Sequence, residues 1–267
     1  MKQTYQKIAV IGGGIMGTVL VRVLAKNNAA KHIVVCENNV ARHKELNKIN
    51  PSVKATNDSS ECSFADIIFL AVKPQDFHTI KLNIQKGTLV CSIMAGISIA
   101  DIRKQLHTEK VVRMMPNMAA RVSEGFTAWT ATNKVTGLEK KWIENFLNET
   151  GAQLYVKEEQ KIDRVTAITG SGPAYIFNTL SVFIYAAENL GFKKEEAKKM
   201  IHQVLRGADA LADEGIDFAE LTRQVTSKGG TTEAALKVFA KSNLKKMWNK
   251  AIVAAYDRAR ELSKKIM

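Results

Sequence analysis

Lys7-Ile8-Ala9-Val10-Ile11-Gly12-Gly13-Gly14-Ile15-Met16-Gly17 is the stretch on which the fold turns. Ile8 to Ile11 form an unbroken apolar run short enough for a fully buried strand. Gly12, Gly14 and Gly17 then fall in the spacing G-x-G-x-x-G. In such a loop the first glycine allows a tight turn, the second lets backbone approach a pyrophosphate, and the third lets helix pack close on strand. Met16, Val19, Leu20, Val23 and Leu24 recur at helical spacing behind the glycines. The phosphates would therefore meet free N–H groups at a helix N-terminus, where the dipole favours negative charge. Gly12, Gly14, Ile15, Met16 and Gly17 are thus expected to hold a dinucleotide.

Outward from this loop, the totals set bounds. A chain of 267 residues allows one large domain or two ordinary ones. At 46% hydrophobic and 24% charged residues it reads as soluble and globular. The first residues lead straight into the strand without a signal-peptide stretch, and no 18 apolar residues run together, so a cytoplasmic location is expected. Cys36, Cys62 and Cys91 are scattered, with no C-x-x-C pair, and imply neither a metal site nor a disulfide framework. The net charge of +13 is spread: 21 Lys+Arg stand against 14 Asp+Glu through residue 160, and 18 against 12 after it. Nucleic acid calls for a clustered basic face, whereas a spread field suits an anionic cofactor and substrate.

Residues 1–156 alternate apolar runs with helical patterns, the rhythm of a doubly wound parallel sheet. Strands are expected at 33–36, 53–55, 66–72, 89–93, 111–114, 126–132 and 152–156, with the 66–72 run central. A helix is expected at 40–49, and the strands at 89 and 111 should each end a helical segment. A further helix at 138–148 has the capping box Thr136 with Glu139, and Gly151 beyond its end. After residue 157 only helices are expected, at 162–189, 193–213, 218–225, 233–240 and 244–265, with Asp217 and Glu220 boxing the third. The expected architecture is α/β: a dinucleotide-binding Rossmann-type domain over 1–157 and an all-α domain over 158–267. Gly170, Gly172 and Pro173 inside the first long helix mark a kink, a close approach or a site.

Ligands of an open α/β sheet lie beyond the carboxyl ends of its strands. That singles out Glu37, Ala71-Val72-Lys73-Pro74, Met94-Ala95-Gly96 and Met115-Pro116-Asn117. Glu37 lies 20 residues after Gly17, where a carboxylate accepts both ribose hydroxyls of NAD and repels a 2′-phosphate; the plainer use of Glu37 is to cap the following helix. In the helical part, Thr226-Ser227-Lys228-Gly229-Gly230-Thr231-Thr232 precedes a helix and can form an N–H nest for a carboxylate; the plainer reading is a threonine N-cap after a glycine turn. His32, His43, His78, His107 and His202 sit among polar neighbours and form no Ser-His-Asp or Cys-His order.

Six pieces together resemble the pyrroline-5-carboxylate reductase family: the glycine loop; Phe69-Leu70-Ala71-Val72-Lys73-Pro74-Gln75; Met94-Ala95-Gly96-Ile97-Ser98; Arg113-Met114-Met115-Pro116-Asn117; Gly170-Ser171-Gly172-Pro173-Ala174-Tyr175; and Ser227-Lys228-Gly229-Gly230-Thr231-Thr232. The resemblance implies hydride transfer from NADPH or NADH to 1-pyrroline-5-carboxylate, giving L-proline. It implies that Ser227, Gly229, Gly230, Thr231, Thr232 and Ser171 hold the substrate, with the Thr232 hydroxyl on the ring nitrogen as the catalytic contact. It also implies that Ala71, Lys73, Pro74, Ala95 and Gly96 wall the cofactor, and Val72 and Asn117, at the same strand ends, are expected to bind it with them. A homodimer or ring of dimers built on the C-terminal helices is implied too, with no membrane or nucleic-acid partner.

The chain departs from the family pattern at Lys228, where such loops usually carry proline, and at Met118-Ala119, where Thr-Pro is common. Glu37 and Asp58, in the order Asn57-Asp58, put negative charge where an adenosine 2′-phosphate would lie and tilt a family habit of NADPH toward NADH. Two rivals stand beside this reading: a reductase of another cyclic imine or a 3-oxoacid on the same plan, and a non-catalytic reductase-like regulator. A hydroxyacid enzyme would carry a catalytic lysine on the interdomain helix, where this chain has Gly-Ser-Gly-Pro.

Overall fold

The computed structural model describes residues 4–265. Its sheet has eight strands: β1 Tyr5–Ile11, β2 Ala30–Cys36, β3 Val53–Thr56, β4 Ile67–Leu70, β5 Leu89–Ser92, β6 Val111–Met115, β7 Gly125–Ala131 and β8 Gly151–Tyr155. They lie in the order β3-β2-β1-β4-β5-β6-β7-β8. β1 pairs in parallel with β2 on one side and β4 on the other. Connections therefore leave β1 and β4 in opposite directions, and a crevice opens between their carboxyl ends. The apolar runs that marked β1 and β4 are fully buried from Ile8 to Val10 and from Ile67 to Leu70, as both faces of a parallel sheet require.

One strand departs from the expected all-parallel sheet: β7 runs antiparallel to β6. The chain between them carries only a single-turn 3-10 segment, Met118–Val122, and a parallel return needs a crossover of a dozen residues or more. Parallel pairing resumes between β7 and β8 across helix α4, Gly137–Asn148. The Thr136 and Glu139 capping box is present there. Trp142 of α4 meets the Tyr5 ring edge-on at 5.3 Å, and Phe146 lies 5.2 Å from Phe69, so this helix is packed onto β1 and β4 through aromatic contacts.

The helices of the sheet half are α1 Ile15–Lys26, α2 His43–Asn47, α3 Ile99–Leu106, α4, and α5 Gln160–Val165. The helix expected over 40–49 is a 3-10 turn, Val40–Arg42, followed by the short α2. Ahead of β5 the chain likewise makes a 3-10 turn, Pro74–Thr79, in place of a helix. The glycine-rich break in the long helix resolves as a π turn, Thr166–Gly170, between α5 and α6 Gly172–Asn189. Such turns are frequent at functional sites. Cys36, Cys62 and Cys91 are buried free thiols.

Contacts divide the chain later than composition does: one unit runs to Pro173 and includes the end from Ala255, the other is Ala174–Ala254. α5 stays with the sheet because Ile162 packs on Ala128 and Val156, and because Arg113 of β6 reaches it. The Arg113 guanidinium, 4% exposed, donates to Glu159 at 2.9 Å and to Asp163 at 2.7 Å. Glu159 also accepts the Ile99 N–H at 2.8 Å, tying the start of α3 to the same carboxylate.

The other unit holds most of α6, then α7 Lys194–Ala212, α8 Phe218–Gln224, α9 Thr231–Lys241 and the first half of α10 Leu244–Lys265. Asp217 caps α8 through the Ala219 N–H, while Glu220 pairs with Arg223, so the expected box is a single cap. Phe177, Val182, Phe183, Tyr185, Phe218 and Val238 are all exposed in this unit, whereas Ala187, Ala197 and Ile201 are its buried apolar residues.

Arg113→Ala is expected to lower unfolding stability by about 3 kcal/mol, at the low end for losing one side of a buried ion pair because both carboxylates keep some solvent. Urea denaturation measures this, and an unchanged midpoint would exclude the anchoring role.

Candidate dinucleotide cleft and carboxylate loop

The crevice between β1 and β4 is a cleft of about 590 Å³, lined among others by Gly12, Gly14, Glu37, Ala71, Val72 and Lys73. Its floor depends on a close backbone approach. Gly12 adopts φ +100, and a Cβ there would lie 2.7 Å from the Ala71 carbonyl oxygen. A Cβ on Gly17 would lie 1.9 Å from the Gly12 oxygen, and one on Gly13 would lie 2.8 Å from Leu46 Cδ1. Gly14 differs: nothing lies within 4 Å of a Cβ built on it, and it borders the cleft as the N-cap of α1. The open space at Gly14, against the unpaired N–H groups of α1, fits a diphosphate. Thr18 braces the loop from behind by donating its hydroxyl to the Gly13 carbonyl at 3.0 Å.

Glu37 stands at the end of β2, in the cleft wall. One carboxylate oxygen accepts the Gly13 N–H at 2.8 Å and the other accepts the Asn39 N–H at 2.8 Å. Capping of the following turn falls to Asn39, whose side chain accepts the Ala41 N–H. Each Glu37 oxygen keeps acceptor capacity for a hydroxyl. Asp58 does not line the cleft: its carboxylate caps the turn Ser59–Cys62 through the Ser60 N–H, and the Ser60 hydroxyl first, then that N–H, holds its carboxyl below the usual range. Its neighbours Asn57 and Ser59 face the cleft instead.

The remaining strand-end residues divide by use. Lys73 lines the cleft from the position just before the Pro74–Thr79 turn, where its side chain makes no cap, and Pro74 begins that turn. Ala95 is half-buried and Gly96, at φ +77, is buried beyond β5. The Asn117 amide nitrogen donates to the Thr169 carbonyl at 3.1 Å, and its oxygen accepts the N–H groups of Ala119 and Phe126. Asn117 therefore fastens the loop after β6 to the π turn. Ser171 follows that turn, its N–H donating to the Thr166 carbonyl at 3.0 Å. Ile15 is exposed at the start of α1, with Met16 half-buried beside it. Arg42 and Lys81, not singled out from the sequence, also line the cleft. Their signal is faint, since Arg42 lies six residues past the end of β2 and Lys81 eleven past the end of β4.

The loop of the helical unit is described by itself. Gly229 sits at φ +73, and the Gly230 N–H donates to the Ser227 carbonyl at 3.0 Å. A Cβ on Gly230 would lie 2.3 Å from Ser227 Oγ. α9 then begins at Thr231 with Gly230 as N-cap, so the N–H groups of Thr231 and Thr232 have no partner within the helix. The Glu233 carboxylate already rests on this loop, accepting the Gly229 N–H at 2.6 Å and pairing with Lys237 at 2.9 Å. Lys237 first, then that N–H, holds the Glu233 carboxyl below its usual range. Among the described residues no three His, Cys, Asp or Glu side chains gather as metal ligands, and no helix is long and apolar enough to cross a membrane.

A parallel-dominated sheet with a glycine cleft at its switch point, followed by helices, defines a dinucleotide-dependent oxidoreductase of Rossmann type. Residues 7–96 match the family model described as NADP oxidoreductase coenzyme F420-dependent, and residues 159–262 match pyrroline-5-carboxylate reductase dimerisation. The chain is 34% identical over 212 residues to the pyrroline-5-carboxylate reductase of Staphylococcus aureus (strain COL), covering 77% of this chain and 78% of that one. The pyrroline-5-carboxylate reductase structure from Coxiella burnetii superposes with a TM-score of 0.87 at 33% identity, covering 97% and 99% of the two chains. That of Plasmodium falciparum with NADP bound superposes at 0.83 and 25% identity, covering 97% and 98%. The chain belongs to the pyrroline-5-carboxylate reductase family.

Two substitutions separate loop packing from ligand binding. Gly14→Ala should leave the melting temperature unchanged while weakening NADH binding about tenfold or more, by placing a methyl in the phosphate space. Gly12→Ala should lower both, since a strained φ costs on the order of 1–3 kcal/mol before any clash. Thermal melts with nicotinamide fluorescence titrations decide this; wild-type binding by Gly14→Ala would exclude the phosphate assignment.

Proposed function

We propose that this chain reduces 1-pyrroline-5-carboxylate to L-proline, with NAD(P)H as hydride donor. The observation that carries the substrate half is the carboxylate of Glu233 seated on the Gly229 N–H: the loop accepts a carboxylate, and the free N–H groups of Thr231 and Thr232 lie one turn away. In this reading Ser227, Gly229, Gly230, Thr231 and Thr232, with Ser171, hold the substrate, and the Thr232 hydroxyl bonds its ring nitrogen. Gly12, Gly14, Ile15, Met16 and Gly17 hold the diphosphate, Glu37 takes the ribose, and Ala71, Val72, Lys73, Pro74, Ala95 and Gly96 wall the nicotinamide side. Asn117 acts by fixing the loop after β6.

NAD(P)H supplies the hydride when bound. A protonated imine carbon is already electrophilic, so the residues have to position it and exclude other orientations, with little acid or base work. No histidine or carboxylate constellation is needed for this. The exposed apolar side chains of α6 to α9 are the surface a dimerisation domain buries, and we assign them to a homodimer or a ring of dimers. The substrate is a small carboxylate; nucleic acid and membrane have no part in this reading, and the location is cytoplasmic. Six-membered cyclic imines and 3-oxoacids are the competing substrates, and a regulator without turnover is the remaining alternative. Oxidation of NADH or NADPH with each compound in turn separates them.

Thr232→Ala should raise KM for pyrroline-5-carboxylate and lower kcat/KM by roughly 10- to 100-fold, the loss of one or two positioning bonds. Wild-type kinetics in that variant would remove Thr232 from the site.

Cofactor choice sets Glu37 against Arg42 across one cleft. The Glu37 carboxylate, fixed by two N–H groups, should make NADH at least as good a donor as NADPH; a kcat/KM tenfold or more in favour of NADPH, on the order of 1.4 kcal/mol, would assign the choice to Arg42.

A further inference from the structure

Beside the nucleotide cleft lies a second, strongly basic feature. Ile15, Thr18, Val19 and Arg22 follow one flank of α1, and with Arg42, Glu45 and Arg121 they line a groove of about 300 Å³. It continues into a neighbouring groove of about 580 Å³ that shares Arg22 and Glu45 and adds Lys26 and Lys48. Five cationic side chains thus face the two grooves against one carboxylate, Glu45. None of Arg22, Arg42 and Arg121 forms an ion pair among the described residues. An Arg42 nitrogen donates to the Thr18 hydroxyl at 3.5 Å. Arg22, Lys26, Lys48 and Arg121 are exposed and Arg42 is half-buried, so their cationic heads can turn onto a ligand, and guanidinium groups are matched to phosphate oxygens in geometry as well as charge.

We propose that this groove is a second anion site, distinct from the diphosphate cradle, for a small molecule carrying two or more phosphoryl groups. The cradle is at the N-terminus of α1, whereas the groove runs along the helix flank; Arg42 lines both the nucleotide cleft and the groove, and Ile15 of the cradle stands at the start of the flank. The pair of adjoining grooves fits a chain of phosphates better than one. Nucleic acid is disfavoured because no aromatic side chain lines either groove to stack a base. Arg42 gives the site a consequence. A phosphate chain that neutralises Arg42 from the groove side removes it from an adenosine 2′-phosphate, so the ligand weakens NADPH binding and leaves NADH binding unchanged.

The test is isothermal titration of the intact oligomer with inorganic tripolyphosphate while NADH is saturating, with sodium sulfate at equal ionic strength as control. Binding should persist under NADH and should weaken about tenfold or more in Arg22→Gln/Arg121→Gln, the loss of charge-assisted contacts. In fluorescence titrations tripolyphosphate should raise the Kd of NADPH alone. Adenosine triphosphate in a parallel arm distinguishes a nucleotide source, which binds more tightly than tripolyphosphate, from a free phosphate chain, which binds equally; both remain sensitive to the double substitution. Loss of binding under NADH, indifference to the substitutions, equal binding of sulfate, or no binding at all would overturn the site. None of these readouts depends on turnover of any imine.

Discussion

The approach of Gly12 to the Ala71 carbonyl is the constraint from which the sheet half follows. It requires β1 and β4 to end side by side, which they do only because the connections from them depart in opposite directions. Three of the four glycines around the turn are then explained by protein neighbours: the Ala71 oxygen, the Gly12 oxygen, and the pair formed by Leu46 and Glu37. Gly14 alone faces open space. A motif usually read as one phosphate-binding unit thus separates into residues that let the backbone close and one that leaves room for a ligand.

A carboxylate on a backbone N–H recurs in both halves. Glu37 holds the Gly13 N–H and Glu233 holds the Gly229 N–H. In the first case the anion stiffens the wall of a cleft and presents spare lone pairs to it. In the second it occupies part of a loop that the proposed chemistry needs for another carboxylate. The same interaction therefore organises one site and rehearses the other, and the difference lies in whether neighbouring N–H groups are left over. At α9 they are, because the helix begins there.

Local signals in the sequence carried far. The apolar runs located every strand, the glycine spacing located the cleft, and the Thr136 and Glu139 box was found as read. What escaped was decided by chain length and by distant partners. β7 turns antiparallel because its connection is too short for a crossover, a property of spacing and not of the residues in β7. α5 belongs with the sheet through Arg113, whose two carboxylates lie far along the chain. Asn117 stands at a strand end, as its position shows, but the partners of its amide, Thr169, Ala119 and Phe126, are set by the folded chain. Arg42 reaches the cleft from a turn that was expected to be regular helix.

The apolar side chains left outside in Ala174–Ala254 have a further consequence. In the pairing of copies proposed above, that unit takes part of its apolar core from another molecule. Its folding is then a second-order process, and mass action enters its stability. Dilution, not only heat or denaturant, then becomes a denaturing condition for that half.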